Sequence, residues 1–132
     1  MRSGIVIPVP APAIDPEQYD AFAWQMSMLV FEEAGLWETP WESTVVRTDS
    51  AEIHGPWPGE ACSWVLLRWF DAGLLGLYRR RPDDEEPQDL PADEARAALA
   101  AVEAWAPSTA LFLCPTEAGE AADLDEWRSL VV

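Results

Sequence analysis

RWFDAGLLGLYRR, residues Arg68–Arg80, reads in two halves with a glycine between them. Upstream, Ala61, Val65, Leu66, Trp69 and Phe70 recur at helical spacing and give an inward apolar face, and Gly73 suits a helix exit through a left-handed residue. Downstream, LLGLYRR is too short and too closely bounded for another helix, and its aliphatic and aromatic residues predict a strand. The stretch therefore predicts a helix from near Pro58 or Gly59 to Gly73, running at once into a β-strand.

Working outward towards the C-terminus, PDDEEPQDLP (82–91) is a solvated acidic loop. A helix is predicted over roughly Ala92 to Trp105, with Ala95, Leu99, Val102 and Trp105 on its apolar face. The run TALFLC then predicts a second strand, antiparallel to the first, and Thr116 is placed to cap a helix whose first turn is acidic. Towards the N-terminus, TPWE offers Thr39, Pro40 and Glu42 as a capping box and predicts a short helix, stopped by RTDS and HGPWPG. Before it, Asp15, Pro16 and Gln18 form another such box. The helix that follows puts Tyr19, Phe22, Met26, Leu29 and Val30 on one face, broadened by Trp24, Met28 and Phe31, and Gly35 is its expected stop. GIVIPVP predicts a short extended segment within an N-terminal stretch covering 1–14. The expected whole is one α+β domain over 1–132, mainly helical with a small antiparallel β-hairpin.

Half of the 132 residues are hydrophobic and eight are tryptophan, which is enough for a single core. The eight cations are all arginine, against 24 acids, for a formal net charge of −16. Such a surface repels phosphate backbones and acidic lipid headgroups and steers basic partners towards itself; a salt-adapted proteome would give the same imbalance. Cys62 and Cys114 lie far apart, outside any Cys-x-x-Cys pair, and read as reduced core thiols. Prolines interrupt the N-terminal aliphatics before a signal-peptide or membrane length is reached, so a cytoplasmic protein is expected.

The order helix, short helix, helix ending in DAGLL, strand, strand and PTEAGEAA resembles a winged helix-turn-helix domain of the bacterial regulator type. The matching residues are Leu66, Trp69, Gly73 and Leu74 at the exit of the third helix, and Thr116 and Gly119 after the second wing strand, with Pro115 in place of the usual residue before the threonine. The resemblance implies a DNA-reading helix followed by a wing. Two features depart from it. The acidic loop and a helix, 82–108, stand between the wing strands, and the stretch from Pro40 to Ala72 carries only Arg47 and Arg68 as cations against Glu42, Asp49, Glu52, Glu60 and Asp71. Groove reading and phosphate contact both need cations, so direct duplex binding by a monomer is not expected.

Arg79, Arg80 and Arg81 could grip a phosphate backbone, or form a solvated strand end balanced by Asp83, Asp84, Glu85 and Glu86. No catalytic constellation stands out. His54 is the lone histidine, metal-ligand spacings and phosphate-binding glycine loops are missing, and no cofactor is expected. Glu52, His54 and Cys62 could share a site, but a half-buried loop histidine is the plainer reading. Trp24, Trp64, Trp69 and Trp105 fall on inferred core faces, whereas Trp37, Trp41 and Trp57 cluster in turns beside acids, where they could lid the core or form an interface. The sequence thus points to a non-enzymatic module that sequesters a basic protein, as an immunity-type inhibitor or DNA mimic does. Its candidate contacts are Trp37, Trp41, Glu42, Trp57 and the acids Asp83, Asp84, Glu85 and Glu86. The alternative is a winged-helix regulator that binds DNA as a dimer or with a partner, through Arg68, Arg79, Arg80 and Arg81.

Overall fold

In a computed structural model, described over residues 14–46 and 48–131, five α-helices and five β-strands form an α+β structure with two small antiparallel sheets. The expected extended segment GIVIPVP lies outside the described residues. Asp15 accepts from the Glu17 amide at 3.0 Å and caps a 3-10 turn, Pro16–Gln18, which leads into α1, Tyr19–Phe31. The acid-rich turn 15–18 therefore starts the helix as the capping residues predict, one turn tighter than expected.

α1 ends before the glycine assigned to stop it. The Glu33 amide reaches Val30 O and the Ala34 amide reaches Leu29 O, so the left-handed residue of this terminus is Glu33, at φ 55°. Gly35 comes two residues later with an extended backbone, buried, and a Cβ there would sit 2.5 Å from the Trp37 ring. Its value is close approach to an indole.

The short helix expected from Thr39, Pro40 and Glu42 is absent, and a β-hairpin stands in its place: β1, Ser43–Val46, and β2, Ala51–His54, paired Ser43↔His54 to Val46↔Ala51. Two local preferences outweigh the capping signature. Thr39 is fully buried and its hydroxyl donates back to Leu36 O at 3.0 Å, closing the 3-10 turn Leu36–Glu38 instead of opening a helix. Thr44 to Val46 is then a β-branched run, with the turn formers Thr48 to Ser50 set to fold it back. Pro40 O accepts the Trp57 amide at 2.8 Å and fixes the base of the hairpin.

α2, Gly59–Asp71, and β3, Leu75–Arg79, follow the reading of the opening stretch. Gly73 has φ 81°, its amide bonds Phe70 O and the Leu74 amide bonds Trp69 O, the double closure of a Schellman turn. β3 lies between β4, Gln88–Asp89, and β5, Leu111–Pro115, in the order β4-β3-β5. The acidic loop thus contributes a short edge strand that its composition does not announce. The inserted helix α3 spans Ala92–Ala100 and stops five residues short of Trp105; a 3-10 turn, Val102–Ala104, replaces its last turn. Trp105 is held off the helix, its indole N–H donating to Ala98 O at 2.9 Å. α3 docks on α2 through Ala95 and Leu99, with Ser63 Oγ donating to Leu99 O at 2.7 Å and Arg96 paired with Asp71 at 2.5 Å.

Thr116 performs the capping role expected of it, accepting from the Gly119 amide at 3.0 Å at the start of α4, Glu117–Ala121. Its hydroxyl also donates to Gly73 O at 2.6 Å, and its amide to Leu74 O at 2.9 Å. The two sequence patterns noted separately are therefore one junction, and Gly119 completes it, since a Cβ there would lie 2.0 Å from Leu74 O. A last helix, α5, Leu124–Ser129, unassigned from the sequence, is capped by Asp123 and puts Trp127 into the core. The Trp127 indole packs edge-on to Trp69 at 5.1 Å and donates to Gly119 O, while Trp69 donates to Trp127 O. The core proper joins α1, α2 and the inner sheet face through Phe22, Met26, Leu66, Trp69 and Leu113.

Two tryptophans change sides relative to expectation. Trp24, assigned to the core, is 52% exposed, because α1 turns only one broad face inward and residue 24 lies opposite it. Trp57, assigned to the interface set, is buried and meets Phe22 at 5.0 Å with the ring planes tilted by 58°; the hydrogen bond from its amide to Pro40 O holds the loop beside it.

Candidate functional site

The register of β3 and β5 builds a surface from a period of two. Leu75, Leu77, Leu111 and Leu113 point inward and are buried, so their neighbours Gly76, Tyr78, Phe112 and Cys114 share the outer face, with pairs Gly76↔Cys114 and Tyr78↔Phe112. Tyr78 stacks on Phe112 with centroids 5.5 Å apart and planes 19° from parallel. Trp37, delivered by the turn after α1, meets Phe112 edge-on at 5.4 Å. Three half-buried rings thus form a continuous row across the sheet.

Two carboxylates border the row at Tyr78, where the Arg80 guanidinium also lies close enough to act on the phenol. Asp89 faces Tyr78 across the β3–β4 ladder, and Glu33 reaches the same face from the end of α1. Burial, followed by the Glu33 carboxylate, pushes the Tyr78 phenol up from 10.0 to about 12. The Cys114 thiol is also raised, by burial first and then by the charges of Glu33 and Asp89, with Glu120 adding a smaller push. A neutral phenol and a protonated thiol offer no nucleophile or base near neutral pH. What the surface offers is ring area with negative charge on its rim, which suits a cationic side chain laid on aromatic faces.

The residues singled out from the sequence divide. Trp37 belongs to the aromatic row. Trp41 is 55% exposed at the entrance to the hairpin and makes no ring contact among the described residues, with exposed Glu42 beside it. Trp57 is core. Asp83, Asp84, Glu85 and Glu86 line a shallow open depression of about 490 Å³ in the β3–β4 loop, where Asp84 accepts from the Arg81 amide at 2.8 Å. Arg79 is half-buried with its Nε 3.4 Å from Thr109 O, while Arg80 and Arg81 are exposed. Arg68 lies over the Trp64 ring of its own helix at 4.2 Å, and its Nε is buried without a hydrogen-bond partner. Cys62 is fully buried, and burial pushes its thiol up to about 12; His54 sits in β2 with Nε2 3.4 Å from Glu52. Cys62 is thus a core thiol, and the Glu52–His54 pair is a strand contact.

Among the described residues no group of three or more His, Cys, Asp or Glu side chains is arranged to hold a metal ion, and no helix is long and apolar enough to cross a membrane. No protein-family model, no curated protein and no solved structure matches this chain. The sequence did not single out Glu33, Tyr78, Asp89 or Phe112. A signal existed for two of them, because the alternation in LGLYR and LFLCP places Tyr78 and Phe112 opposite the buried leucines once the strands pair in register.

Proposed function

We propose that this chain is a non-enzymatic, cytoplasmic protein-binding module that engages a basic partner through the outer face of the β4-β3-β5 sheet, as an inhibitor or DNA mimic does. The observation that carries the reading is the row Trp37–Phe112–Tyr78 with Glu33 and Asp89 beside it, on a chain of net charge −16. Rings supply desolvated contact area, and the carboxylates select arginine or lysine and accelerate encounter. Asp83, Asp84, Glu85 and Glu86 add long-range steering from the neighbouring loop.

Affinity capture from host lysate, followed by titration of any basic protein recovered, tests this reading. Trp37→Ala and Tyr78→Ala, which leave the charge unchanged, should each weaken binding by about 1–3 kcal/mol, as anchors at an interface do. Recovery of specific DNA with no basic protein would refute it.

A second reading is the winged-helix regulator. The junction of Gly73, Leu74, Thr116 and Gly119 favours it, since these are the residues on which the resemblance rests. Against it stand the hairpin at 43–54, where a helix-turn-helix needs a helix, and the attachment of Arg68 to Trp64.

A further inference from the structure

Across the larger sheet, three outer side chains stand in strand order: Asp89 on β4, Tyr78 on β3 and Phe112 on β5. Phe112 covers one side of the Tyr78 ring, 5.5 Å away and 19° from parallel. The other side of that ring belongs to β4, where Asp89 is the directly opposed residue of the antiparallel ladder. Opposed residues hold their Cβ atoms roughly 4.5–5.5 Å apart, so the carboxylate stands beside the uncovered ring face. Among the described residues Phe112 is the aromatic neighbour of Tyr78, and the cation that lies over a ring is Arg68, on Trp64.

The charge at this end of the row is uncommitted. Asp89 is exposed and takes part in no ion pair among the described residues. Arg80 acts on the Tyr78 phenol without pairing to Asp89 or lying over the ring, and Glu33 is engaged as the hydrogen-bond partner of the phenol. What stays open is a ring face with a carboxylate set beside it. A guanidinium satisfies both at once, because its plane stacks on the ring while its edge donates parallel N–H bonds to the carboxylate. An ammonium is a compact, strongly hydrated point charge with no plane to stack.

We propose that the outer sheet face selects arginine over lysine in its basic partner: one guanidinium continues the Phe112–Tyr78 stack and donates to Asp89. This selection rests on the sheet-face reading above and adds to it the chemistry of the partner's contact residue.

The test titrates the full chain, by heteronuclear NMR at fixed ionic strength, with an acetylated and amidated Gly-Arg-Gly-Arg-Gly peptide and with its lysine counterpart of equal charge. Both should shift the amides of Tyr78 and Phe112, the arginine peptide binding about tenfold more tightly. Asp89→Asn, at an exposed position, should cut that preference to about twofold or less by weakening the arginine peptide the more. Glu85→Gln removes the same charge from the neighbouring acidic loop and should leave the preference intact. Equal affinity of the two peptides, a preference unchanged in Asp89→Asn, or an equal loss in Glu85→Gln would overturn the selection while the sheet-face reading stands. Shifts that avoid Tyr78 and Phe112 with both peptides would overturn the two together.

Discussion

At the scale of single residues, Glu33 carries the clearest link between backbone strain and a candidate role. A left-handed conformation costs an L-residue about 1 kcal/mol relative to glycine, yet Glu33 occupies it at φ 55° while Gly35, two positions on, is extended. Glu33→Gly should therefore raise stability by about 1 kcal/mol in denaturant unfolding while weakening a basic partner, the pattern of strain retained at a functional position. Gly119→Ala should do the reverse and destabilise by more than about 2 kcal/mol, since its Cβ would meet Leu74 O at 2.0 Å. The buried Cys62 thiol sets an alkaline limit. Its folded value near 12 lies above the unfolded 9.0, so the unfolded chain releases its proton first as pH rises. Stability from this group is complete below pH 9.0 and is lost as pH climbs towards 12; Tyr78, raised from 10.0 to about 12, acts in the same direction. Cys62→Ala should flatten the fall in melting temperature over that interval.

Among the elements, β1 and β2 form the weakest unit. A two-stranded hairpin is marginal alone, and this one leaves Val46 80% and Ile53 63% exposed on its outer side. Amide exchange in β1 and β2 should be faster than in β3 and β5, which are paired within the larger sheet; equal protection would show the hairpin to be part of the global unit. This is also the element that sequence reading missed. Helix α2, the Gly73 exit and β3 were legible because periodicity, a glycine and a change of period agree within a few residues. The hairpin was not, because the capping signature of Thr39, Pro40 and Glu42 conflicts with the β-branched run that follows it, and the buried Thr39 side chain serves the preceding turn instead. α5 escaped notice because a helix of six residues carries too little periodicity; only Trp127 and the Asp123 cap mark it. The candidate site was visible in part. Trp37 could be named from its acidic neighbours, but Tyr78 and Phe112 become a surface only when register brings them together, and Glu33 only when a backbone angle turns it towards them.

On the scale of the molecule, 24 acids against eight arginines make self-repulsion a general term in stability. The melting temperature should rise as salt is added from low ionic strength, and indifference to salt would show the charges to be already balanced locally. Charge alone, however, would send any cation to the densest acidic run, Asp83 to Glu86, whereas ring contact would send it to the aromatic row beside Glu33 and Asp89. An NMR titration with an arginine-rich peptide separates the two directly. Binding at the row should give saturable shifts centred on the Trp37 indole N–H and the amides of Tyr78 and Phe112, reduced by Trp37→Ala at constant charge. Shifts centred on the 83–86 loop, or spread evenly over the surface and untouched by that substitution, would contradict it.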